Sequence, residues 1–426
     1  MEPSGGRRKR ARRWKVIAAL GCVMALGTSG GVADIGAQPI PAEGAVAFTG
    51  GVYVPVTPVR VMDTRTGLGG TSGPLGSHDL VLSGSIPSDA IAVTLNVTVT
   101  NATEQSYVTV QPSGEDPSLV SSVNFGPGQT VANLVTVKLG TGGKVDIATA
   151  VGSTDVVADL VGYYDDGALA SGNRFVPVEP SRLHDSRLPE PGIALDANAP
   201  QSIELRDLYD DDDENLIPKT AQAIVVNLTV TGATDQSFIR AVSSSASAVG
   251  NVSNLNFLPG QTIANLAIVG MADDACCLRL TNAVGSVHVI VDLVGYFDSA
   301  GGSRFHAMDP NRVLDTRTGA GLSGKQGPGQ TRPLAVAGAA GTAVPPGATG
   351  LVANLTVADG TAESFAAIFP GDAARPDPFS NLNFGTNQVI PNLTTVGVAP
   401  DGTVNLYNHL GSTHLIADAV GWYAPW

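Results

Sequence analysis

Apolar and polar residues alternate along this chain with a period of two. Leu95, Val97 and Val99 alternate with Asn96, Thr98 and Thr100, and Val226, Leu228 and Val230 alternate with Asn227, Thr229 and Thr231. Such a pattern predicts half-buried β-strands, and the abundance of Val, Thr and Ile agrees with it. Gly- and Pro-rich breaks interrupt the alternation at Gly67 to Gly76, Pro112 to Pro117, Gly126-Pro127-Gly128 and Gly140 to Gly143. The best stretch for a helix, Leu205 to Leu216, holds five Asp, so no more than a turn of helix or 3₁₀ is expected there.

The strand pattern is written three times. Val61-Met62-Asp63-Thr64-Arg65, Leu183-His184-Asp185-Ser186-Arg187 and Val313-Leu314-Asp315-Thr316-Arg317 each open a segment. Closing phrases follow at Val156 to Tyr164, Val289 to Phe297 and Leu415 to Tyr423, each with an Asp and a Val-Gly-aromatic ending. Repetition at this period sets the architecture. The units are 52–165, 174–298 and 304–424, joined by short Gly-, Ala- and Ser-rich linkers at 166–173 and 299–302. Each unit is domain-sized and holds about seven or eight short strands, so the expectation is all-β: three tandem antiparallel β-sandwich or jelly-roll domains. The linkers are too short to keep the units apart. The domains are expected in a row, or around a pseudo-threefold axis with the closing strands inward.

Residues 1–37 read as a secretory signal peptide, followed by a linker at 38–51. Seven basic residues lie between Arg7 and Lys15, an apolar run extends from Val16 to Leu26, and small residues offer cleavage after Ala33 or Ala37. The run falls short of the roughly 20 apolar residues that a membrane-spanning helix needs. The residues after Arg12-Arg13 fit a twin-arginine signal poorly. Ala19 stands where a lipoprotein signal would place Leu before Cys22. Sec-dependent export of a chain with no transmembrane segment in its mature part is therefore expected, to the extracellular space or the cell wall.

The formal net charge is −14, from 24 basic and 38 acidic residues. Without residues 1–37 it becomes −19, with 17 basic and 36 acidic residues left. Such a surface repels phosphate backbones, which argues against nucleic acid and anionic membranes as partners. Asp210 to Glu214 is an acidic run found only in the second unit. It reads as a solvated insertion, since it lacks the spaced ligands and central Gly of a calcium loop. Beyond Cys22 the chain has only Cys276 and Cys277, so no disulfide framework supports the fold. The pair replaces a turn written Gly142-Gly143 and Asp401-Gly402 in the other units, and a vicinal disulfide is favoured there over a cross-link between two chains or a reduced pair.

Polar residues that recur in all three units are candidates for site or support. Arg60, Asp63 and Arg65 recur as Arg182, Asp185 and Arg187, and as Arg312, Asp315 and Arg317. Asp159, Asp292 and Asp418 lie in apolar closing strands, where a carboxylate is costly unless paired. Each is expected to accept from a repeated Arg, with the Asp-x-Arg arginine (Arg65 and its copies) as the favoured donor. A ligand site, with Arg holding a sugar acid, is the competing reading. Asn96, Asn227 and Asn354 are formal glycosylation acceptors, but mid-strand positions point instead to bonds with a loop or neighbouring strand. In Gly126-Pro127-Gly128-Gln129, Leu258-Pro259-Gly260-Gln261 and Gly385-Thr386-Asn387-Gln388 the third residue is expected to have positive φ. Phe125, Phe257 and Phe384 are expected core plugs. Each unit ends in an aromatic pair, and Tyr164, Phe297 and Tyr423 are candidates either for packing or for stacking a sugar.

Catalytic motifs are not apparent. The six histidines, 78, 184, 288, 306, 409 and 414, neither repeat nor take a metal-ligand spacing. No nucleophile elbow, phosphate loop or zinc helix is written, and neither a metal nor a cofactor is implied. A catalytic carboxylate pair would be needed once, not three times.

Together these phrases resemble a secreted repeat found in many actinobacterial proteins. Its third phrase is matched best by Ser253-Asn254-Leu255-Asn256-Phe257-Leu258-Pro259-Gly260-Gln261-Thr262-Ile263-Ala264-Asn265-Leu266. The resemblance covers nearly all of the chain after the signal segment. Such repeats often accompany exported peptidases or hydrolases, and no catalytic domain accompanies them here. The resemblance implies an address and not an activity. The function expected is non-catalytic, in cell-surface adhesion or binding of cell-wall or other polysaccharide. The competing expectations are a scaffolding component that associates with itself and, behind it, a hydrolase with an unrecognised site.

Overall fold

In a computed structural model, residues 10–11, 50–116, 120–167, 172–189, 192–205, 208–210, 215–246, 250, 252–271 and 276–426 are described. The rest of the signal segment, with Cys22, most of the 38–51 linker and the acidic run after Asp210 lie outside them. All regular structure among the described residues is β.

Each repeat folds into two small sheets with the same strand order. In the first, the opening strand Val52–Asp63 pairs with the closing strand Asp155–Asp165, which pairs with Ala90–Thr100, which pairs with Val131–Lys138. The second sheet runs Ser77–Val81, Lys144–Thr149, Ser106–Pro112, Val123–Phe125. Repeat two places Arg174–Asp185, Ser286–Asp298, Ala221–Thr231 and Ile263–Gly270 in the first order, and repeat three places Arg304–Asp315, His414–Ala424, Gly350–Ala358 and Ile390–Gly397 there.

The expectation of three tandem sandwich or jelly-roll domains is overturned. The six small sheets are the blades of a six-bladed β-propeller. Burial supplies the physical reason. A sandwich strand keeps one face in water and so alternates between buried and exposed positions. Eight consecutive residues of Ala90–Thr100 are buried instead, and all nine of Gly350–Ala358. Leu95, Val97 and Val99 face the apolar core of their own repeat, while Thr94, Asn96 and Thr98 are equally withdrawn from solvent. The sequence alternates between two kinds of interior, not between inside and outside.

The repeats close on one another at their opening strands. Tyr53 exchanges backbone hydrogen bonds with Asn173, Phe175 with Ser303, and Phe305 with Gly51. Contacts thus pass from the first repeat to the second, the second to the third, and the third back to the first. Six aromatic rings fill the centre. Tyr53 stacks on Phe297 at 4.3 Å, Phe175 on Tyr423 at 4.4 Å and Phe305 on Tyr164 at 4.1 Å, each pair joining two repeats. These contacts explain the glycine of the closing phrases. A Cβ on Gly162, Gly295 or Gly421 would overlap the ring of Tyr53, Phe175 or Phe305.

Candidate functional site

The repeated charges form three equivalent chains. Cross-strand register sets Arg60 directly opposite Asp159, Arg182 opposite Asp292 and Arg312 opposite Asp418. Each guanidinium grips its Asp through two bonds: 2.9 and 3.3 Å, 2.8 and 3.1 Å, and 2.8 and 3.0 Å in the three repeats. The donor is therefore not the Asp-x-Arg arginine, as the sequence suggested. Strand pairing delivers the arginine five residues earlier to that place. Arg65, Arg187 and Arg317 fold back on their own neighbours Asp63, Asp185 and Asp315 at 2.6–2.9 Å. A third bond, from Arg60 to Asp63 and its copies, joins the two pairs.

These environments shift the carboxyls in opposite directions. The Arg187 and Arg317 hydrogen bonds hold Asp185 and Asp315 down to about 2, and Arg65 lowers Asp63 in the same way. Burial raises Asp159 and Asp292 from the ordinary Asp value, in spite of the opposing hydrogen bonds from Arg60 and Arg182.

The formal glycosylation asparagines bind neighbouring repeats. Asn96 Nδ2 donates to the carbonyl of Ser253, Asn227 to Ser380 and Asn354 to Ser121. A second set, Asn133, Asn265 and Asn392, recurs after the three turns, with no role evident from the sequence. Asn133 Nδ2 donates to Asn354 Oδ1 at 3.0 Å, Asn265 to Asn96 at 3.3 Å and Asn392 to Asn227 at 3.0 Å. Their own Oδ1 atoms accept from the backbone N–H of Leu393, Leu134 and Leu266. Three buried amide pairs and these three backbone bonds thereby close a ring across the three repeats. Each such bond contributes about 1 kcal/mol net, and a severed one strands a buried group.

The candidates for sugar stacking are placed elsewhere than that role requires. Tyr164, Phe297 and Tyr423 are 1 % exposed and belong to the central aromatic cluster. The strand end that carries them is covered on both sides, so no ligand reaches their faces. Cys276 and Cys277 are joined as a disulfide, with Cys277 opposite Glu204 across the sheet. Their sulfurs and a Glu204 oxygen lie within 4.8 Å of one another, but bonded sulfurs offer no thiolate to a metal.

An open cavity of about 540 Å³ lies where the three turns converge. Positive φ at Gly128, Gly260 and Asn387 folds these turns tightly, at 69°, 70° and 57°. Gln129, Gln261 and Gln388 follow them. Each Oε1 accepts from the backbone N–H three residues back, that of Gly126, Leu258 or Gly385, at 2.8, 3.0 and 2.8 Å. The acceptor end of each amide is thus occupied, and its two Nε2 hydrogens remain for another partner. Val131, Ile263 and Ile390 give the cavity an apolar lining, and Tyr107 stands at its wall. Beside Tyr107, Asn124 Oδ1 is buried with no hydrogen-bond partner among the described residues. In the other repeats the matching oxygens accept from Ser253 and Ser380.

No protein-family model matches the chain, and no curated protein does. The three-turn cavity is the place where polar groups of all three repeats converge without being consumed by the fold.

Proposed function

We propose that this is a non-catalytic exported protein that binds cell-wall or other surface polysaccharide, with the three-turn cavity as its site. The observation that carries the reading is the set of unused polar groups in that cavity. Gln129, Gln261 and Gln388, one from each repeat, line it with amides whose Oε1 is used by the turn and whose Nε2 donors are left over. Hydroxyl groups accept as well as donate, so a sugar chain matches these donors. Apolar side chains between these groups suit the C–H faces of the rings. Export follows from the 1–37 pattern. Among the described residues no helix is long and apolar enough to cross a membrane.

A triple variant, Gln129→Glu, Gln261→Glu and Gln388→Glu, tests this. Glutamate keeps the oxygen that each turn needs and removes the outward donors. Co-sedimentation with wall polysaccharide, together with a glycan array, is expected to show at least tenfold weaker binding at an unchanged urea midpoint. Wild-type protein that binds no sugar contradicts the proposal and favours the scaffolding reading, in which the repeated Arg, Asp and Asn groups serve only assembly.

A further inference from the structure

A second cavity, of about 620 Å³, opens between the second and third repeats. Gln261 and Gln388 line it as well as the three-turn cavity, so the two cavities lie against the same turns. Across the third repeat's outer sheet run Asn383, Phe365 and His409. Asn383 is the cross-strand partner of Phe365, and the backbone N–H of His409 donates to the Phe365 carbonyl. The Phe365 and His409 rings are stacked at 4.6 Å and 19°. His409 is exposed and Phe365 half-buried.

This aromatic row is peculiar to the third repeat. In the first, the place of His409 is taken by Ala150, whose N–H meets the carbonyl of Tyr107. In the second, the Arg240 guanidinium lies 6.0 Å from the centre of Phe238. The Arg, Asp and Asn chains that recur in all three units bond within the fold. The pair occurs once and is held in place by Tyr407, whose ring lies 5.9 Å from that of Phe365 and whose hydroxyl lies 3.2 Å from His409 Nδ1.

We propose that this notch is a subsite for one pyranose ring of an uncharged polysaccharide whose chain continues into the three-turn cavity. The inference rests on the polysaccharide reading above and specifies its ligand. An aromatic pair offers a surface to the C–H face of a sugar, and the flanking Asn383 and Gln261 amides can bond its hydroxyls. Glu363 also lines the notch and is exposed. Its carboxylate, on a chain of net charge −19 without residues 1–37, repels uronic acids and phosphate-bearing wall polymers.

Affinity electrophoresis through gels containing a soluble neutral glucan, a mannan or polygalacturonate tests the proposal, with Phe365→Ala and His409→Ala as separate variants. Wild-type protein is expected to be retarded by a neutral polymer and not by polygalacturonate, and each variant to bind about tenfold more weakly. His409 is exposed, so its variant remains informative if Phe365→Ala fails to fold. Retardation of both folded variants equal to wild type overturns the notch and leaves the polysaccharide reading standing. Preference for polygalacturonate overturns the uncharged ligand. Wild-type protein retarded by none of the polymers overturns the notch together with the reading it rests on.

Discussion

Arg182→Ala lowers the unfolding free energy by about 3–5 kcal/mol, the usual cost of breaking a buried ion pair from one side. Asp292 is 1 % exposed, and Arg182 supplies both bonds to its carboxylate. Removing the guanidinium leaves that carboxylate uncompensated inside the protein. Arg187→Ala is the control. Its side chain is 45 % exposed and its partner Asp185 keeps a bond from Arg182, so a loss below about 1 kcal/mol is expected. The pH dependence follows from the signs. Asp185 titrates near 2 when folded, against roughly 3.9 when unfolded, so its contribution is present above about pH 4 and lost as pH falls through about 2. Asp292 is raised in the fold, and loss of Arg182 raises it further. Acid protonates it and removes the need for a partner. The deficit of Arg182→Ala therefore narrows as pH falls. Urea unfolding at several pH values measures both. Equal losses for the two arginine variants contradict the pairing.

Phe297→Ala costs about 3–5 kcal/mol, the range for truncating a fully buried aromatic. Phe297 contacts Tyr53 of the first repeat, Phe175 of its own and Tyr423 of the third. One substitution thus loosens all three repeats at once, and the urea transition is expected to shift as a whole. A role in stacking a ligand at the surface predicts the reverse, with binding lost and stability kept.

The strands were legible in the sequence because period two and Gly-Pro breaks are local signals. Positive φ at Gly128, Gly260 and Asn387 was legible for the same reason, since each turn follows from its own four residues. Their assembly was not. Alternation distinguishes apolar from polar positions, but Asn96 and Thr98 are polar and buried, so the pattern looks like that of a sandwich with a wet face. What buries them is a surface some 150 residues away, as with Asn96 and Ser253, and no local pattern records it. Choosing Arg65 over Arg60 for Asp159 failed similarly. Both arginines were visible, and the deciding fact is the register that sets Arg60 opposite Asp159. The second asparagine set was within reach, because threefold recurrence alone marks Asn133, Asn265 and Asn392. The three-turn cavity was half visible. Its turns were recognised, but their convergence depends on the closing of the ring.

That closure is the central claim, and small-angle X-ray scattering of the chain from residue 38 onward tests it most directly. One compact body of that size has a radius of gyration of roughly 21 Å, while three domain-sized units in a row give roughly 30 Å. The amide ring and the Gly51–Phe305 bridge predict the smaller value. A radius near 30 Å, with the elongated distance distribution of a row, would contradict the closed arrangement.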